Sequence, residues 1–329
     1  MPTEHELDLI DAAAMEVHDD LDTRPAHRML TRQIWSALRG LGLTHGWVTC
    51  IGMDAAAFTG HITPEEYGEA GSYAEWTGPI RPAGEIYDAV LTPQFDTDPP
   101  LDVIIANLPY ADLHFRNPHA ARRILQVHQE LMAAAVERTA PGGFLVALTT
   151  RQLMDHKNPV VRQAIFQELD LLGAVRLPGT TYHPTLTPEQ TSPTDLLVLR
   201  RRPAGEPNRS APWVDSGRGV FPGGQARVNT YFTNYPHHVI GKIEFVEDLE
   251  RGTPRMSVVA PDSDLEPALR LGLRQIVQEA RANGLTAAPL SATAPPSPST
   301  GIGRSAPPGD GGTTPCRSSP QGPRFDPLG

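Results

Sequence analysis

Leu101-Asp102-Val103-Ile104-Ile105-Ala106 followed by Asn107-Leu108-Pro109-Tyr110 (LDVIIANLPY) is the stretch on which the fold turns. LDVIIA is short, apolar and rich in branched side chains. A run of this kind, stopped at once by a polar residue and a proline, reads as a strand buried on both faces. Four more segments have the same character: Trp47–Gly52 (WVTCIG), Phe144–Thr149 (FLVALT), Leu172–Leu177 (LGAVRL) and Asp195–Arg200 (DLLVLR). Between the second and third of the five runs lies Pro118–Thr139, a helical pattern with Ile124, Leu125, Val127, His128, Leu131, Met132 and Val136 on its inner side. Pro141-Gly142-Gly143 turns the chain from that helix into the next strand. A further helix is expected from Pro159 to Leu169, with Asn158 before a proline at its first position. Strands alternating with helices predict a doubly wound α/β sheet.

Working outward, Glu6–Leu21 and Pro25–Leu41 read as amphipathic helices, with apolar stripes Leu9, Ala13, Val17 and Leu30, Ile34, Leu38. Asp264–Asn283 repeats the pattern through Leu265, Leu269, Leu273, Ile276 and Val277. From Leu285 to Gly329 Pro, Gly, Ser and Thr dominate, a composition that cannot bury enough apolar surface to offset its ordering entropy. The expected organisation is N-terminal helices over 1–45, a Rossmann-like domain over 46–242, a helical segment over 243–284 and a disordered tail over 285–329.

Composition narrows the class. The 329 residues carry 28 Lys and Arg against 38 Asp and Glu, a net charge of −10, which argues against a general nucleic-acid coat and leaves room for a local basic groove. Two cysteines, Cys50 and Cys316, exclude a disulfide scaffold and a Cys-rich zinc module. No long apolar run and no signal-peptide pattern is present, so a soluble cytoplasmic protein is expected. The twelve histidines show no zinc-type spacing: His237 and His238 are adjacent, and His128 lies on an apolar helix face. No metal site is expected. A Gly-x-x-x-x-Gly-Lys-Ser/Thr loop is also missing, and with it any ATPase site.

The chemistry sits in Asn107-Leu108-Pro109-Tyr110. Ligands of open α/β sheets bind where strands end. Asn offers an amide oxygen, the Leu108–Pro109 segment backbone carbonyls, and Tyr a flat ring. Such a set can hold a planar group with an exocyclic amine: acceptors take its protons and the ring stacks on its face. Accepting both N–H bonds favours a localised, available lone pair, and fixed dipoles stabilise the positive charge that develops. The same four residues also suit a plain turn, with Asn as a cap and Tyr packed on the sheet.

DVIIANLPYAD resembles the Asn-Pro-Pro-Tyr/Phe motif of adenine-specific amino-methyltransferases. The likeness runs over roughly residues 101–241 and is similar to the methylase module of large helicase–methylase proteins of actinobacterial mobile elements. It includes Gly142-Gly143, Thr149-Thr150-Arg151, Val175-Arg176-Leu177-Pro178, Thr194-Asp195 and Val228–Phe232. The resemblance implies S-adenosylmethionine as cofactor, DNA as substrate, and a helicase or second methylase subunit as partner, in the setting of restriction–modification. It assigns the amine to Asn107 and the Leu108–Pro109 backbone, and base stacking to Tyr110. Asp54 would accept from the cofactor ribose, or else cap Ala55–Phe58; Asp96 would meet the cofactor adenine, or else belong to a surface loop. Arg200, Arg201 and Arg202 either contact DNA phosphates or form the solvated exit of a strand. Tyr182, in a long loop over 179–194, either touches the target base or belongs to an ordinary loop.

Two departures stand out. Leu108 replaces the family's proline, and no acidic-x-x-x-Gly-x-Gly loop occurs between Met1 and Trp47. Arg39-Gly40-Leu41-Gly42 follows a helical pattern and reads as a helix C-cap. The missing loop keeps open a second reading, a methylase-like remnant or split subunit that binds DNA or a partner. A third is amino-methylation of RNA or of a protein glutamine.

Overall fold

The computed structural model describes residues 2–44, 48–52, 57–58, 73–75, 100–248, 253–261 and 264–287. Asp54 and Asp96 lie outside the described residues, as does the tail beyond residue 287.

Six strands form the central sheet: β1 (Val48–Gly52), β2 (Tyr73–Glu75), β3 (Leu101–Asn107), β4 (Thr139–Thr150), β5 (Leu169–Leu177) and β6 (Thr194–Arg201). Their order is β2-β1-β3-β4-β6-β5. The first four run parallel, and β6 runs antiparallel to both β4 and β5. All five strands expected from sequence are present. Alternate residues of each strand feed opposite layers, as the pleat requires. Val103, Ile105, Val146, Leu148 and Val198 pack with helix α2 (Arg24–Gly40) and helix α7 (Leu265–Ala282). Ile104, Ala106, Leu145, Ala147 and Leu199 pack with helix α3 (Pro118–Arg138) and helix α5 (Val160–Glu168). A sheet with helices on both faces is the doubly wound α/β class. No helix among the described residues is long and apolar enough to cross a membrane.

Helix α2 uses the stripe its sequence announces, with Leu30, Ile34 and Leu38 at most 1% exposed. It ends as expected at Leu41, where Gly42 takes a φ of +91° and the Leu43 amide returns to the Leu38 carbonyl. Helix α1 (Glu4–Asp20) does the opposite. A capping box of Thr3 and Glu6 starts it. Its apolar stripe then faces outward, with Leu9 57% and Val17 50% exposed, while its buried residues are Asp11 and His18.

The segment from 243 to 284 is not purely helical. It opens with an antiparallel hairpin, β9 (Lys242–Asp248) and β10 (Thr253–Val259), before α7. A second hairpin, β7 (Ser216–Phe221) with β8 (Gly224–Asn229), precedes the short helix α6 (Thr230–Asn234). The described residues also pass the expected tail boundary: Leu285 is buried, the Ala287 amide donates to the Leu41 carbonyl, and the Thr286 carbonyl accepts from Arg200.

Candidate functional site

After β1 the chain moves outward to β2, and after β3 it moves the other way to β4, so the winding reverses between β1 and β3. In open α/β sheets that reversal leaves a crevice at the carboxyl ends of the two strands, where ligands bind. Gly52 and Asn107 are paired partners at those two ends. Gly52 has a φ of +95°, and a Cβ there would run into the Asn107 backbone carbonyl. Only glycine lets β1 end this close to the motif.

Asn107 is buried, and its Nδ2 lies 3.3 Å from His27 Nε2 on α2. Leu108 continues the sheet, its amide donating to the Leu148 carbonyl at 3.1 Å and its side chain buried. The Pro109 carbonyl, one of the backbone acceptors that the Leu108–Pro109 segment offers, is engaged within the protein: His128 Nε2 lies 2.9 Å away. The other ring nitrogen, Nδ1, is 3.3 Å from Thr149 Oγ1. With Nε2 donating to the carbonyl, the neutral ring presents Nδ1 as an acceptor to the Thr149 hydroxyl. Burial holds it so, pushing its pKa down to about 4 against the favourable bond to Pro109. His128 is thus the satisfied core histidine expected from its helix face, and it fixes the motif's backbone.

Tyr110 stands in the left-handed region with φ 56°, the only non-glycine residue among those described with positive φ. An aromatic residue held there costs of order 1–3 kcal/mol and persists only because its surroundings impose it. Those surroundings are α1 and the following loop. The Tyr110 hydroxyl donates to Asp19 Oδ2 at 3.2 Å, and its ring meets His18 and Phe115 edge-on at 5.4 and 6.4 Å. Burial and the Asp19 charge both push the phenol pKa up. Six residues on, the same loop is tied to α1 again: Asp11 accepts from the Arg116 and Asn117 amides at 2.6 and 2.9 Å, and Asn117 Nδ2 donates to Asp8 at 2.7 Å.

Beside Tyr110, three groups far apart in sequence converge. His18 of α1, Asp112 of the motif loop and His183 of the 179–194 loop are all buried. His183 Nε2 lies 2.6 Å from His18 Nδ1 and 3.3 Å from Asp112 Oδ2. His18 Nε2 lies 3.8 Å from Asp112 Oδ1. Burial is the main force lowering the His18 pKa, with Asp112 opposing it. Local spacing carries no trace of this cluster, because it joins positions 18, 112 and 183. The 179–194 loop is held here by a Ser192 amide bond to the Asp112 carbonyl, a Leu113–Thr191 bridge, and Arg255 donating to the Pro188 and Thr191 carbonyls at 2.6 and 2.8 Å.

The residues expected to touch DNA are placed otherwise. Tyr182 is buried beside the same cluster, its ring 5.6 Å from that of His27, so it presents no ring at the surface. Arg200, Arg201 and Arg202 lie at the amino end of the parallel strands, opposite Asn107, since Arg200 pairs with Phe144 and Arg201 with Leu169. There they serve the fold. Arg200 binds the Thr286 carbonyl and Glu206. Arg201 donates to the carbonyls of Val136, Glu137 and Thr139 as α3 ends. Arg202 binds Asp170 and the carbonyls of Phe166, Gln167 and Leu169 as α5 ends. Cations at helix C-termini satisfy orphan carbonyls and the dipole together.

Several family-like motifs meet in a buried network that is also structural. Arg176 donates to Asp195 at 2.7 and 2.8 Å and to Asp155 at 3.0 Å, with its guanidinium 4.2 Å from the Phe232 ring centroid. The Asn229 amide donates to Asp155 at 2.8 Å. Burial opposes the Arg176 charge, but Asp155 and Asp195 outweigh it and raise its pKa. Val175-Arg176, Thr194-Asp195 and Val228–Phe232 are therefore joined by one need: to neutralise an arginine inside the sheet.

No family model and no curated protein matches the chain. Solved structures similar to it include a Listeria monocytogenes protein described as a class I S-adenosylmethionine-dependent methyltransferase, at 12% identity and TM-score 0.41 over 56% of this chain and 62% of that one. The M protein of the EcoKI type I restriction enzyme is similar at 10% identity and TM-score 0.36, over 82% of this chain and 74% of that one. The N-methyltransferase NodS from Bradyrhizobium japonicum is similar at 17% identity and TM-score 0.34, over 56% of this chain and all of that one. The chain spans less than two thirds of the Listeria protein. Likenesses of this size carry nothing about what this chain does.

Proposed function

We propose that this chain is an S-adenosylmethionine-dependent methyltransferase acting on the exocyclic amine of adenine in DNA. The observation that carries the reading is Asn107 at the carboxyl end of β3, at the reversal of the winding, with Tyr110 held two residues beyond Leu108 in a strained conformation. The Asn107 amide nitrogen lies against His27, and its Oδ1 is the proposed acceptor for an amine. The Leu108 carbonyl is the second acceptor, because His128 engages that of Pro109. Tyr110 supplies the stacking face once its hydroxyl leaves Asp19. These contacts tighten as the amine nitrogen becomes positive, so they act on turnover more than on binding.

The proposed cofactor crevice lies where β1 ends, at a glycine packed on the Asn107 backbone. The cofactor would supply an electrophilic methyl group on a sulfonium. Asp54 and Asp96 remain proposed partners of its ribose and adenine. A helicase or a second methylase subunit remains the proposed partner for opening DNA.

The test is tritiated methyl transfer to unmethylated duplex and single-stranded DNA, with nucleoside analysis for N6-methyladenine. Transfer by wild type and its loss in Asn107→Ala are expected. Equal transfer by both reduces the motif to a turn, and DNA binding without transfer favours the remnant reading.

A further inference from the structure

We propose that His18, Asp112 and His183 form a binding site for one divalent transition ion, of which zinc is the best match. The donor set is two imidazoles and one carboxylate, all buried, with one atom from each lying within 4.8 Å of the other two. Zinc bonds of about 2.0–2.2 Å in a tetrahedron space its ligands roughly 3.3 Å apart. The 2.6 Å between His183 and His18 lies below that spacing and the 3.3 Å between His183 and Asp112 at it, and the His18–Asp112 pair, within 4.8 Å, closes to it by side-chain rotation. Imidazole and carboxylate donors with an open fourth position are a normal zinc environment, and a water takes that position.

A second observation points the same way. Asp112 Oδ2 is buried and makes no well-aligned hydrogen bond, its nearest partner being His183 Nε2 at 3.3 Å, and the hydroxyls of Thr181 and Tyr182 just before His183 are buried without one. Buried polar atoms are nearly always satisfied, and an orphaned carboxylate oxygen beside two facing imidazole nitrogens is what an absent cation leaves. His183 Nδ1, also without a partner, is the ring nitrogen turned away from the cluster and open to an outer-sphere bond.

The ion would join α1 to the loop carrying Tyr110 and to the 179–194 loop, two loops already paired with each other through the Leu113–Thr191 bridge. It acts as a clamp. His18 is in edge contact with Tyr110, and the neighbouring Asp19 holds the Tyr110 hydroxyl, so fixing His18 fixes the aromatic residue of the motif. The site stands on the cluster alone and is independent of which amine the protein methylates.

The experiment uses the full chain free of any histidine tag, stripped with a chelator and then titrated with Zn(II) against a chromophoric competitor and with Co(II) by its d–d absorption. One ion per chain is expected, with a tetrahedral cobalt spectrum and a higher Tm. Asp112→Asn and His183→Gln should each weaken binding by roughly 10–100-fold or more, while exposed His237→Gln leaves it unchanged. Should either ligand variant misfold by circular dichroism, wild type still decides: bound Co(II) must shift proton resonances of two imidazole rings. No cobalt spectrum, shifts on fewer than two rings, or binding unchanged in folded ligand variants overturns the site.

Discussion

At the amino end of the sheet three consecutive arginines are consumed by carbonyls and carboxylates; at the carboxyl end buried polar atoms lie in a cluster that leaves several of them unpaired. Asp170 shows the first condition: its Oδ1 accepts from Arg202 Nε and Nη2 and from the Arg209 amide, and only Oδ2 lacks a partner. The second condition covers Asp112 Oδ2, Thr181 Oγ1, Tyr182 Oη, His183 Nδ1 and Thr194 Oγ1. One end spends its charges on terminating α3 and α5 and on holding the chain after α7; the other holds polar groups and a strained tyrosine. Local rules broken in one place and obeyed elsewhere are the reason the functional site is proposed at the carboxyl end.

Substitutions at the two ends should therefore separate activity from stability. The largest effect is expected from Asn107→Ala at the carboxyl end: about a 10²–10³-fold loss of methyl-transfer turnover with the circular dichroism spectrum retained. A proportional loss of Tm instead would make Asn107 a structural residue like those opposite. Arg202→Ala at the amino end should lower the free energy of unfolding in urea by about 3 kcal/mol, since it strips charged bonds from buried Asp170. Turnover and DNA affinity per folded molecule should not change. A selective loss of DNA affinity would restore Arg202 to a phosphate-binding role.

His128 sharpens the comparison through pH. Its folded pKa near 4 lies below the ordinary value of 6.5, so as pH falls the unfolded chain takes up a proton first. Stability contributed by the neutral ring is complete above about pH 6.5 and declines down to about pH 4, by roughly 3 kcal/mol in all. Urea unfolding across that range should show the slope, and His128→Gln should flatten it. The smallest effect is Tyr110→Phe, which removes the bond to Asp19 at a cost of about 1 kcal/mol while the ring that stacks is kept. Turnover falling together with that stability would show that the hydroxyl, not the ring, matters.

How much of this was legible in the sequence depended on whether a signal was local. β3, β4, β5 and β6 are buried on both faces, and such strands announce themselves as apolar runs. The two hairpins were not visible: SGRGVF and GQARVN carry few apolar residues, and KIEFVED alternates beside a strong helical pattern that absorbed it. The stripe of α1 misled, because Leu9, Ala13 and Val17 form a regular face that the structure leaves outside. Asn107 was legible because the four motif residues are adjacent. The His18–Asp112–His183 cluster was not, since only the folded chain brings residues so far apart together. The arginines misled for a third reason: a run of like charges does not reveal that two helices end beside it.

Helix α1 has a thermodynamic consequence of its own. It is joined to the Tyr110 loop mainly through Asp8, Asp11, His18 and Asp19, while Leu9 and Val17 are already in water. Detaching it exchanges polar contacts for hydration and uncovers only the half-buried Leu7, Ile10, Ala14 and Met15, far less hydrocarbon than the core holds. Heat-capacity change scales with apolar exposure, so this opening should have a small one. Global unfolding, which exposes the two apolar layers of the sheet, should have a large one. Across the growth range of a cell, the frequency with which the motif is uncovered would then follow a nearly straight van't Hoff line, even where the stability of the whole molecule bends.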